Sequence, residues 1–544
     1  MTSGARPTDE TPGGAQVWIP LAAFVALTSF LATRHEMWRD EVRALSIATR
    51  AATWGTMFGD LHQEGHPGLW YAVLRTGFAI TQSNLVLPVL ALLIGGVTAY
   101  LILRYSPFPF WLRLLTVFGA FLGYEYSVMA RNYGIGIMFL LAACALFKSR
   151  DRHAIPIGIL LALSANCSVH AAVASAMIVL LWALDLFDGG KETLLQPSSL
   201  AGLFIAVAGI ATAIVSAKPS PDMSYATSLH QLGISQVLRS IIVDPGKGLK
   251  GVYVSDIAAS GELPWIRAGI DPTIASRIVV DIAIIAIAWA LWRSRKHLVV
   301  FAISILSFEI FFQSVYPAAI RHQGIVTFLI VGVCWIAIQD KEESGREEFR
   351  RRMAFGLLPM LLFQTIALPI VARRHLMHPS SSSLAFGRLI SSTPRLSKAI
   401  LISEPDYLME AMPYYVTNRV YMPRQHEYHY RVYFDAGAHR QHDLTLGELL
   451  DTSDSLGCVT RSPILISIGY PDFLTRPTGV VHGAFHGADF FWAANEKARL
   501  STRARKLGQL EGATTDENYE VFELTPLDPR VCADLPKVSH QGAL

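Results

Sequence analysis

Long apolar runs separated by short polar segments fill the first 372 residues of the chain. A helix needs about 20 apolar residues to cross a bilayer. Eleven runs come close to this length, at 17–33, 85–103, 108–124, 132–147, 154–169, 171–187, 199–217, 276–292, 298–316, 323–339 and 353–372. The pattern predicts a polytopic α-helical membrane protein with about eleven transmembrane helices, formed by a module at residues 17–372.

One further apolar segment, 69–81, is short and carries Arg75. Cytoplasmic loops of membrane proteins carry an excess of Lys and Arg, so the basic segments decide whether this segment crosses. The basic segments are KSRDRH (148–153), RSRKH (293–297) and DKEESGREEFRRR (340–352). They fall in the cytoplasm if 69–81 lies at the interface and residues 1–16 form a flexible cytoplasmic N-terminus. Counting 69–81 as a span reverses this, so we favour the interfacial interpretation.

Three polar pieces then lie on the external face: a first loop with interfacial helices at 34–84, a second loop at 218–275, and residues 376–544. In the last piece KAILISE, PILISIGY and YEVFEL are typical of short strands. Residues Asp489–Leu507 are predicted to form a helix, and the serine run 380–383 a linker. The prediction is a small, soluble, external α/β domain at the C-terminus.

Composition agrees with a membrane protein, since 52% of residues are hydrophobic and only 16% are charged, against about 25% charged in soluble domains. The net charge of +3 is too small to indicate a nucleic-acid partner. The cysteines form no CxxC pair, so neither a metal site nor a disulfide framework is expected. Cys458 and Cys532 are able to pair in an oxidising compartment.

Four polar clusters share the predicted external face. They are Arg39-Asp40-Glu41, Glu64-Gly65-His66-Pro67, Glu125–Arg131 and Arg321-His322. Charge at a membrane interface is costly unless it is paired or used. Each cluster alone is explained equally well by headgroup solvation or a salt bridge, but four together, with different chemically active residue types, favour a functional site.

The acidic pair after the first span, in WRDE (38–41), and the His66-Pro67 that precedes aromatic residues resemble the C-type (GT-C fold) membrane glycosyltransferases. The likeness is to the group of protein O-mannosyltransferases and aminoarabinose transferases. It covers residues 15–150 in motifs and 150–372 in span pattern. This chain has Gly68 where many relatives have a second proline.

The resemblance implies a polyprenyl-phosphate sugar as donor and Asp40 as the catalytic residue of the first external loop. A phosphate leaving group needs no general acid, so one carboxylate suffices to take the proton of the acceptor. We expect Asp40 to be this base, Glu41 to support it, and the sugar to be inverted. Groups expected to bind the donor phosphate are His66, Arg131, Arg321 and His322. Further pocket candidates are Arg39, Glu64, Glu125 and Tyr133.

The expected partners are the lipid donor, membrane lipids and an acceptor that is a glycan, a lipid or a protein of the cell envelope. The expected location is the bacterial cytoplasmic (inner) membrane, with the active site facing the periplasm or exterior. No resident metal site is predicted, although dependence on a divalent metal stays open. Two alternatives stay open as well: a transporter or flippase of lipid-linked saccharides, and a receptor-like anchor for residues 376–544. A transporter would use interfacial cations but has no specific need for Asp40, and the inverted repeats common in transporters are not visible.

Overall fold

A computed structural model describes residues 13–61, 64–188, 196–218, 235, 239, 272–315, 319–434, 442–470, 473, 475–485 and 488–532. The first twelve residues of the predicted N-terminus and most of the predicted loop 218–275 lie outside these described residues. The helices of the first 377 residues are α1 (Gly14–Ala32), α2 (Arg39–Arg50), α3 (Trp54–Asp60), α4 (Leu69–Thr81), α5 (Val86–Tyr105), α6 (Phe110–Val117), α7 (Asn132–Leu146), α8 (Arg150–Ala165), α9 (Val169–Asp188), α10 (Pro197–Ser216), α11 (Pro272–Leu291), α12 (Arg295–Ser314), α13 (Ile320–Gln339) and α14 (Glu343–Met377).

Eight stretches of the described chain are helical, long and apolar enough to cross a membrane. One of them, Asn132–Ala165, contains both α7 and α8. These two helices form a hairpin, because the hydroxyl of Ser164 near the end of α8 donates to the carbonyl of Gly136 near the start of α7, at 2.9 Å. The prediction of a polytopic α-helical membrane protein is therefore confirmed in its general form, while the number of eleven spans stays a prediction.

The expected continuous helix over 108–124 is wrong. Helix α6 ends at Val117, and a π-helical turn follows at Phe121–Glu125. Here the chain presses against α14: a Cβ atom added to Gly123 would lie 2.9 Å from Leu368 Cδ2, and one added to Gly119 would lie 3.1 Å from Gln364 Cβ. The helix is interrupted where these two glycines pack closely against α14, so residues 108–124 do not form one regular helix.

Helix α4 has 13 residues, fewer than the roughly 20 that cross a bilayer. Its Arg75 donates to the carbonyls of Ala48 and Ala51, at 2.9 Å each, and so fastens α4 to the end of α2. These features support the interfacial placement of 69–81, which itself stays a prediction.

The two ends of the helix bundle carry different charged groups. At one end Arg150 pairs with Asp185 and Asp340, at 3.3 and 3.1 Å, and Lys296 pairs with the same two carboxylates. These residues belong to the start of α8, the end of α9, the end of α13 and the start of α12. At the opposite end of the bundle lie the N-termini of α7 and α13, where Arg131 and Arg321 are found. The basic segments 148–153, 293–297 and 340–352 therefore share one face, opposite Arg131 and Arg321.

Helix α13 is the central helix of the bundle, because nearly all of its residues are buried. Trp335, Val331 and Leu329 on this helix belong to the main hydrophobic core. Burial of such side chains contributes about 1.5–3 kcal/mol each in water, but between helices in a bilayer close packing contributes more than the hydrophobic effect. The first turn of this rigid helix carries Arg321 and His322.

The C-terminal piece is an α/β domain. Its elements are α15 (Ser383–Ser391), β1 (Ile400–Glu404), α16 (Met412–Tyr415), β2 (Val420–Met422), β3 (Glu427–Tyr428), β4 (Leu444–Thr445), α17 (Leu446–Thr460), β5 (Ile464–Ile468), β6 (Gly479–Phe485), β7 (Ala488–Trp492), α18 (Ala494–Arg503), β8 (Ala504–Leu510), β9 (Tyr519–Leu524) and α19 (Pro529–Cys532). Six strands form one sheet in the order β3-β2-β1-β5-β9-β8, and three form a second in the order β4-β7-β6. Strand β1 is parallel to both β2 and β5, while β5 and β9 are antiparallel.

The three strands predicted in this domain are confirmed as β1, β5 and β9. The helix predicted over Asp489–Leu507 is wrong at both ends, because only Ala494–Arg503 is helical and strands β7 and β8 flank it. Aromatic residues in β7 pack alternately into the domain core, which favours a strand.

The serine run 380–383 connects α14 to this domain, as a linker would, but all four serines are buried. Cys458 on α17 and Cys532 on α19 form a disulfide bond, which realises the pairing that the sequence left open. The other three cysteines are buried and free.

Candidate active site

Asp40 lies in the first turn of α2, between arginines from two other parts of the chain. Its Oδ2 atom is 2.7 Å from Nη1 of Arg131 and 3.1 Å from Nη2 of Arg321. Arg39 Nε is 3.8 Å from the other carboxylate oxygen. The Asp40 side chain keeps 24% of its surface exposed, so a ligand is able to reach it. The structure therefore brings together the predicted base and two of the predicted phosphate ligands.

The arginines determine the charge of Asp40. Burial alone raises the pKa of a carboxyl group, but Arg131, Arg321 and Arg39 outweigh it and hold the pKa of Asp40 well below its usual range. Asp40 is accordingly a carboxylate at neutral pH. Arg131 and Arg321 both pair closely with Asp40, while Arg39 pairs more closely with Asp516. Two guanidinium groups on one carboxylate leave one positive charge for an added anion.

Glu41 is directed away from these arginines and is fully buried. One carboxylate oxygen accepts from the N–H of Ala130 at 2.5 Å, and the other lies 2.8 Å from Nε2 of His35. Burial lowers the pKa of His35, but the charge and hydrogen bond of Glu41 outweigh it, so the pKa is raised. Glu41 thus joins the start of α2 to the loop that carries Arg131, which indicates a positioning role.

His66 packs edge-on against Tyr133, with ring centroids 6.3 Å apart. Its Nδ1 atom is buried and has no hydrogen-bond partner among the described residues. Burial and the nearby charge of Arg131 lower the pKa of His66 to about 4. At neutral pH this imidazole is uncharged, so it would meet a phosphate as a hydrogen-bond donor rather than as a cation.

Tyr133 and His322 form a hydrogen bond deeper in the bundle. The backbone N–H of Ala319 donates to His322 Nδ1 at 3.0 Å, so the neutral ring carries its proton on Nε2. That nitrogen lies 2.9 Å from the hydroxyl oxygen of Tyr133 and donates to it. His170, which the sequence analysis did not single out, stacks on His322 with centroids 4.3 Å apart. The one feature of the sequence that could have indicated His170 is its position in NCSVHA (166–171), on the same predicted external face.

Two further predicted pocket residues, Glu64 and Glu125, have contacts outside the Asp40 cluster. Glu64 accepts from Arg43 at 2.7 and 2.9 Å and pairs with Arg431 of the C-terminal domain at 3.2 Å. Glu125 ends the π-helical turn, and its charge contributes to the raised pKa of His35. Glu64 therefore links α2 to the C-terminal domain.

The C-terminal domain contacts the first loop directly. Arg43 of α2 forms an ion pair with Glu410 and donates to the carbonyl of Val432 at 3.0 Å. The guanidinium of Arg39 pairs with Asp516 and stacks on Tyr407, 4.7 Å from its ring centroid. No pattern in the sequence indicates these partners, because hundreds of residues separate them from α2.

Within the part of the chain that the structure describes, no group of three or more His, Cys, Asp or Glu side chains is placed to hold a metal ion. A divalent metal is not assigned to this site.

These features define a class: a polytopic helical membrane protein with a cluster of arginines around a carboxylate at one end of its bundle, next to an α/β domain. No protein-family model and no curated protein matches the sequence. Among solved structures, the chain is similar to ArnT from Cupriavidus metallidurans in the apo state, with 13% identity, a TM-score of 0.40, and coverage of 94% of this chain and 98% of that one. At this level the likeness assigns no activity to the chain.

Proposed function

We propose that the protein is a membrane glycosyltransferase that transfers a sugar from a polyprenyl-phosphate donor to a cell-envelope acceptor. The observation that carries the proposal is Asp40 between Arg131 and Arg321, with part of its surface exposed, at one end of a membrane helix bundle. A lipid-linked donor has its tail in the bilayer and its headgroup at the interface. It therefore requires charged groups at the end of a membrane helix bundle, and the arginines at the starts of α7 and α13 support this placement.

The arginines provide the phosphate site. A guanidinium group binds a phosphate through two parallel hydrogen bonds. Arg131 precedes α7 and Arg321 opens α13, so membrane helices hold both at the same end of the bundle. When the sugar–phosphate bond breaks, the phosphate gains negative charge, and preorganised cations stabilise this charge most effectively.

Asp40 provides the base. In the free protein its pairing with arginines keeps the pKa low, which makes it a weak base. A donor phosphate that takes over Arg131 and Arg321 weakens that pairing and makes Asp40 more basic. The acceptor hydroxyl then attacks the anomeric carbon, the bond to the phosphate oxygen breaks, and Asp40 takes the hydroxyl proton. Polyprenyl phosphate leaves, and the anomeric centre is inverted.

The orientation has two supports. Disulfide bonds persist in oxidising compartments outside the cytoplasm, and the C-terminal domain contains one between Cys458 and Cys532. The basic segments lie at the opposite end of the bundle, as the positive-inside rule requires for cytoplasmic loops. We therefore propose that the pocket and residues 376–544 face the periplasm or exterior of a cytoplasmic membrane.

The experiment is donor turnover by the purified protein in nanodiscs. The lipid-linked sugar fraction of the source membranes is the donor pool, the remaining cell-envelope extract supplies the acceptor, and released polyprenyl phosphate is measured by mass spectrometry. Release by the wild type and its loss in Asp40→Asn support the proposal. Movement of intact donor across a vesicle bilayer without release would instead identify a flippase of lipid-linked saccharides.

A further inference from the structure

The connection between β8 and β9, residues 511–518, lies against the first turn of α2. Glu517 Oε1 accepts from the backbone N–H of Arg39 at 2.6 Å. The neighbouring Asp516 pairs with the guanidinium of the same arginine. A loop near the end of the chain therefore contacts the residue that precedes Asp40 through both its backbone and its side chain.

The backbone contact completes a helix terminus. The first N–H groups of a helix have no partner within the helix, and a carboxylate near this end is favoured by the helix dipole. Glu41 accepts from the N–H of Trp38 at 3.3 Å, and Glu517 accepts from the N–H of Arg39. Together these two carboxylates fix the turn of α2 that contains Asp40.

The side-chain contact sets the direction of Arg39. Asp40 and Asp516 both attract its guanidinium. The group pairs with Asp516 and stacks on Tyr407, while its Nε atom stays 3.8 Å from Asp40. Without Asp516, the guanidinium keeps only the stack on Tyr407 and Glu517 at 4.0 Å. We expect it then to pair more closely with Asp40 and to compete with Arg131 and Arg321.

The loop itself is firmly anchored. The hydroxyl groups of Ser381 and Ser383 donate to the second oxygen of Glu517. The Ser382 N–H donates to the Glu517 carbonyl at 3.0 Å, and the Thr515 hydroxyl donates to the Ser380 carbonyl at 2.7 Å. The buried serine run therefore holds the loop against α2, which gives these serines a role beyond that of a linker.

We infer that the β8–β9 loop of the C-terminal domain is a positioning element of the active site, in which Glu517 fixes the first turn of α2 and Asp516 prevents Arg39 from pairing more closely with Asp40 than 3.8 Å. The inference rests on the proposed function. It assigns the domain a part in catalysis, through Arg39, without contact between the loop and substrate.

Asp516 is suited to a test because its side chain is 51% exposed, so Asp516→Asn is expected to fold. The charged and titratable groups around Asp40 and Arg39 come from six segments. They are Arg39 itself, His66, Arg131, Arg321, Tyr407, and the loop residues Asp516 and Glu517. Asp516→Asn leaves all of these except one carboxylate unchanged. The matched control is Glu523→Gln, which removes a carboxylate on β9 that pairs with Arg395 and Arg505 inside the domain.

The measurements are the single-turnover rate with the lipid-linked sugar fraction and the affinity for undecaprenyl phosphate. We expect Asp516→Asn to slow turnover roughly tenfold, because small displacements of a catalytic group have effects of this size or larger. Affinity should change less than about twofold, since Arg131 and Arg321 are retained. Asp516→Glu should restore most of the rate. In an Arg39→Gln background, Asp516→Asn should have no further effect.

The inference is overturned if Asp516→Asn turns over like the wild type, if Glu523→Gln is equally slow, or if the effect persists without Arg39. These results differ from a failure of the proposed function. If the proposed function is wrong, the wild type itself releases no polyprenyl phosphate, and the inference is then wrong as well.

Discussion

Asp40 Oδ2 lies 2.7 Å from Arg131 Nη1, and Arg131 directly precedes a membrane helix. The carboxylate in α2 and the cation at the start of α7 thus form one ion pair across two segments of the membrane module. A donor phosphate would compete with Asp40 for this guanidinium, so the proposed base and the proposed phosphate site are linked.

This link determines what Asp40→Asn should do. The amide keeps the shape but cannot take a proton, and a loss of about a hundredfold or more in turnover is expected for a general base. Binding of undecaprenyl phosphate should be as tight as in the wild type or tighter, because Arg131 and Arg321 lose their competing carboxylate. Equilibrium binding and single-turnover rates measure the two effects. Wild-type turnover by the variant would remove Asp40 from the mechanism.

Removal of an arginine that is proposed to bind the phosphate should weaken donor binding, whereas Asp40→Asn should not. A hydrogen bond to a charged group contributes about 1.5–3 kcal/mol, so Arg131→Ala and Arg321→Ala should weaken binding of undecaprenyl phosphate by roughly ten- to a hundredfold. Arg321→Lys should rescue only in part, since Lys keeps the charge but not the planar pair of donors. Arg505→Ala, a change at a 65% exposed arginine of the C-terminal domain, is the control. Unchanged binding in both variants would place the phosphate elsewhere.

His66 should act without charge. Its pKa is lowered to about 4 from 6.5, mainly by burial, so it is neutral from pH 5.5 to 8. We expect the ratio of wild-type to His66→Ala affinity for undecaprenyl phosphate to stay constant over this range. Taking the ratio cancels the titration of the ligand, whose second pKa is about 6. A ratio that grows as the pH falls through 6.5 would show a cationic His66.

The sequence indicated which charged residues come together around Asp40 better than it indicated the contacts of each one. Asp40, Arg131 and Arg321 were identifiable because each stands at the end of an apolar run, where charge requires a reason. Glu41 was expected to assist Asp40, but adjacent residues on a helix point in different directions, and Glu41 faces Ala130 and His35 instead.

The contribution of the C-terminal domain could not be predicted. Asp516 and Glu517 lie in an ordinary polar turn, TTDENY, and no periodic pattern relates that turn to α2. The broken helix after α6 was missed for a similar reason: its glycines pack against α14, and a hydropathy pattern contains no information on which helices are neighbours.

The proposed topology predicts which exposed positions an impermeant thiol reagent reaches in intact cells. Ser397→Cys in the C-terminal domain should be labelled, and Glu348→Cys, at an 82% exposed position in α14, should not. Background labelling should be low because the free cysteines Cys144, Cys167 and Cys334 are buried. Labelling of both positions after permeabilisation is the control for accessibility. The reverse pattern in intact cells would place the pocket on the cytoplasmic side.

Glu517 should make the stability of the protein depend on pH. Burial raises its pKa to about 7 from 4.5, although Arg39 and the hydroxyls of Ser381 and Ser383 favour the charged form. Because the folded state then binds more protons than the unfolded state, the contribution of Glu517 to the free energy of unfolding falls as the pH rises from 4.5 to about 7. The total change is about 3 kcal/mol.

Glu517→Gln does not titrate, so comparison with it isolates this contribution. We expect the melting temperature of the wild type, relative to that of Glu517→Gln in the same detergent, to fall between pH 5 and pH 8. The amide itself changes the melting temperature by an amount that does not depend on pH, so it does not affect how the relative melting temperature changes with pH. A relative melting temperature that is equal at both values, or that rises with pH, would show that Glu517 is already ionised at pH 5. The loop would then hold α2 with a permanent charge, and the contact between Glu517 and Arg39 would be independent of pH.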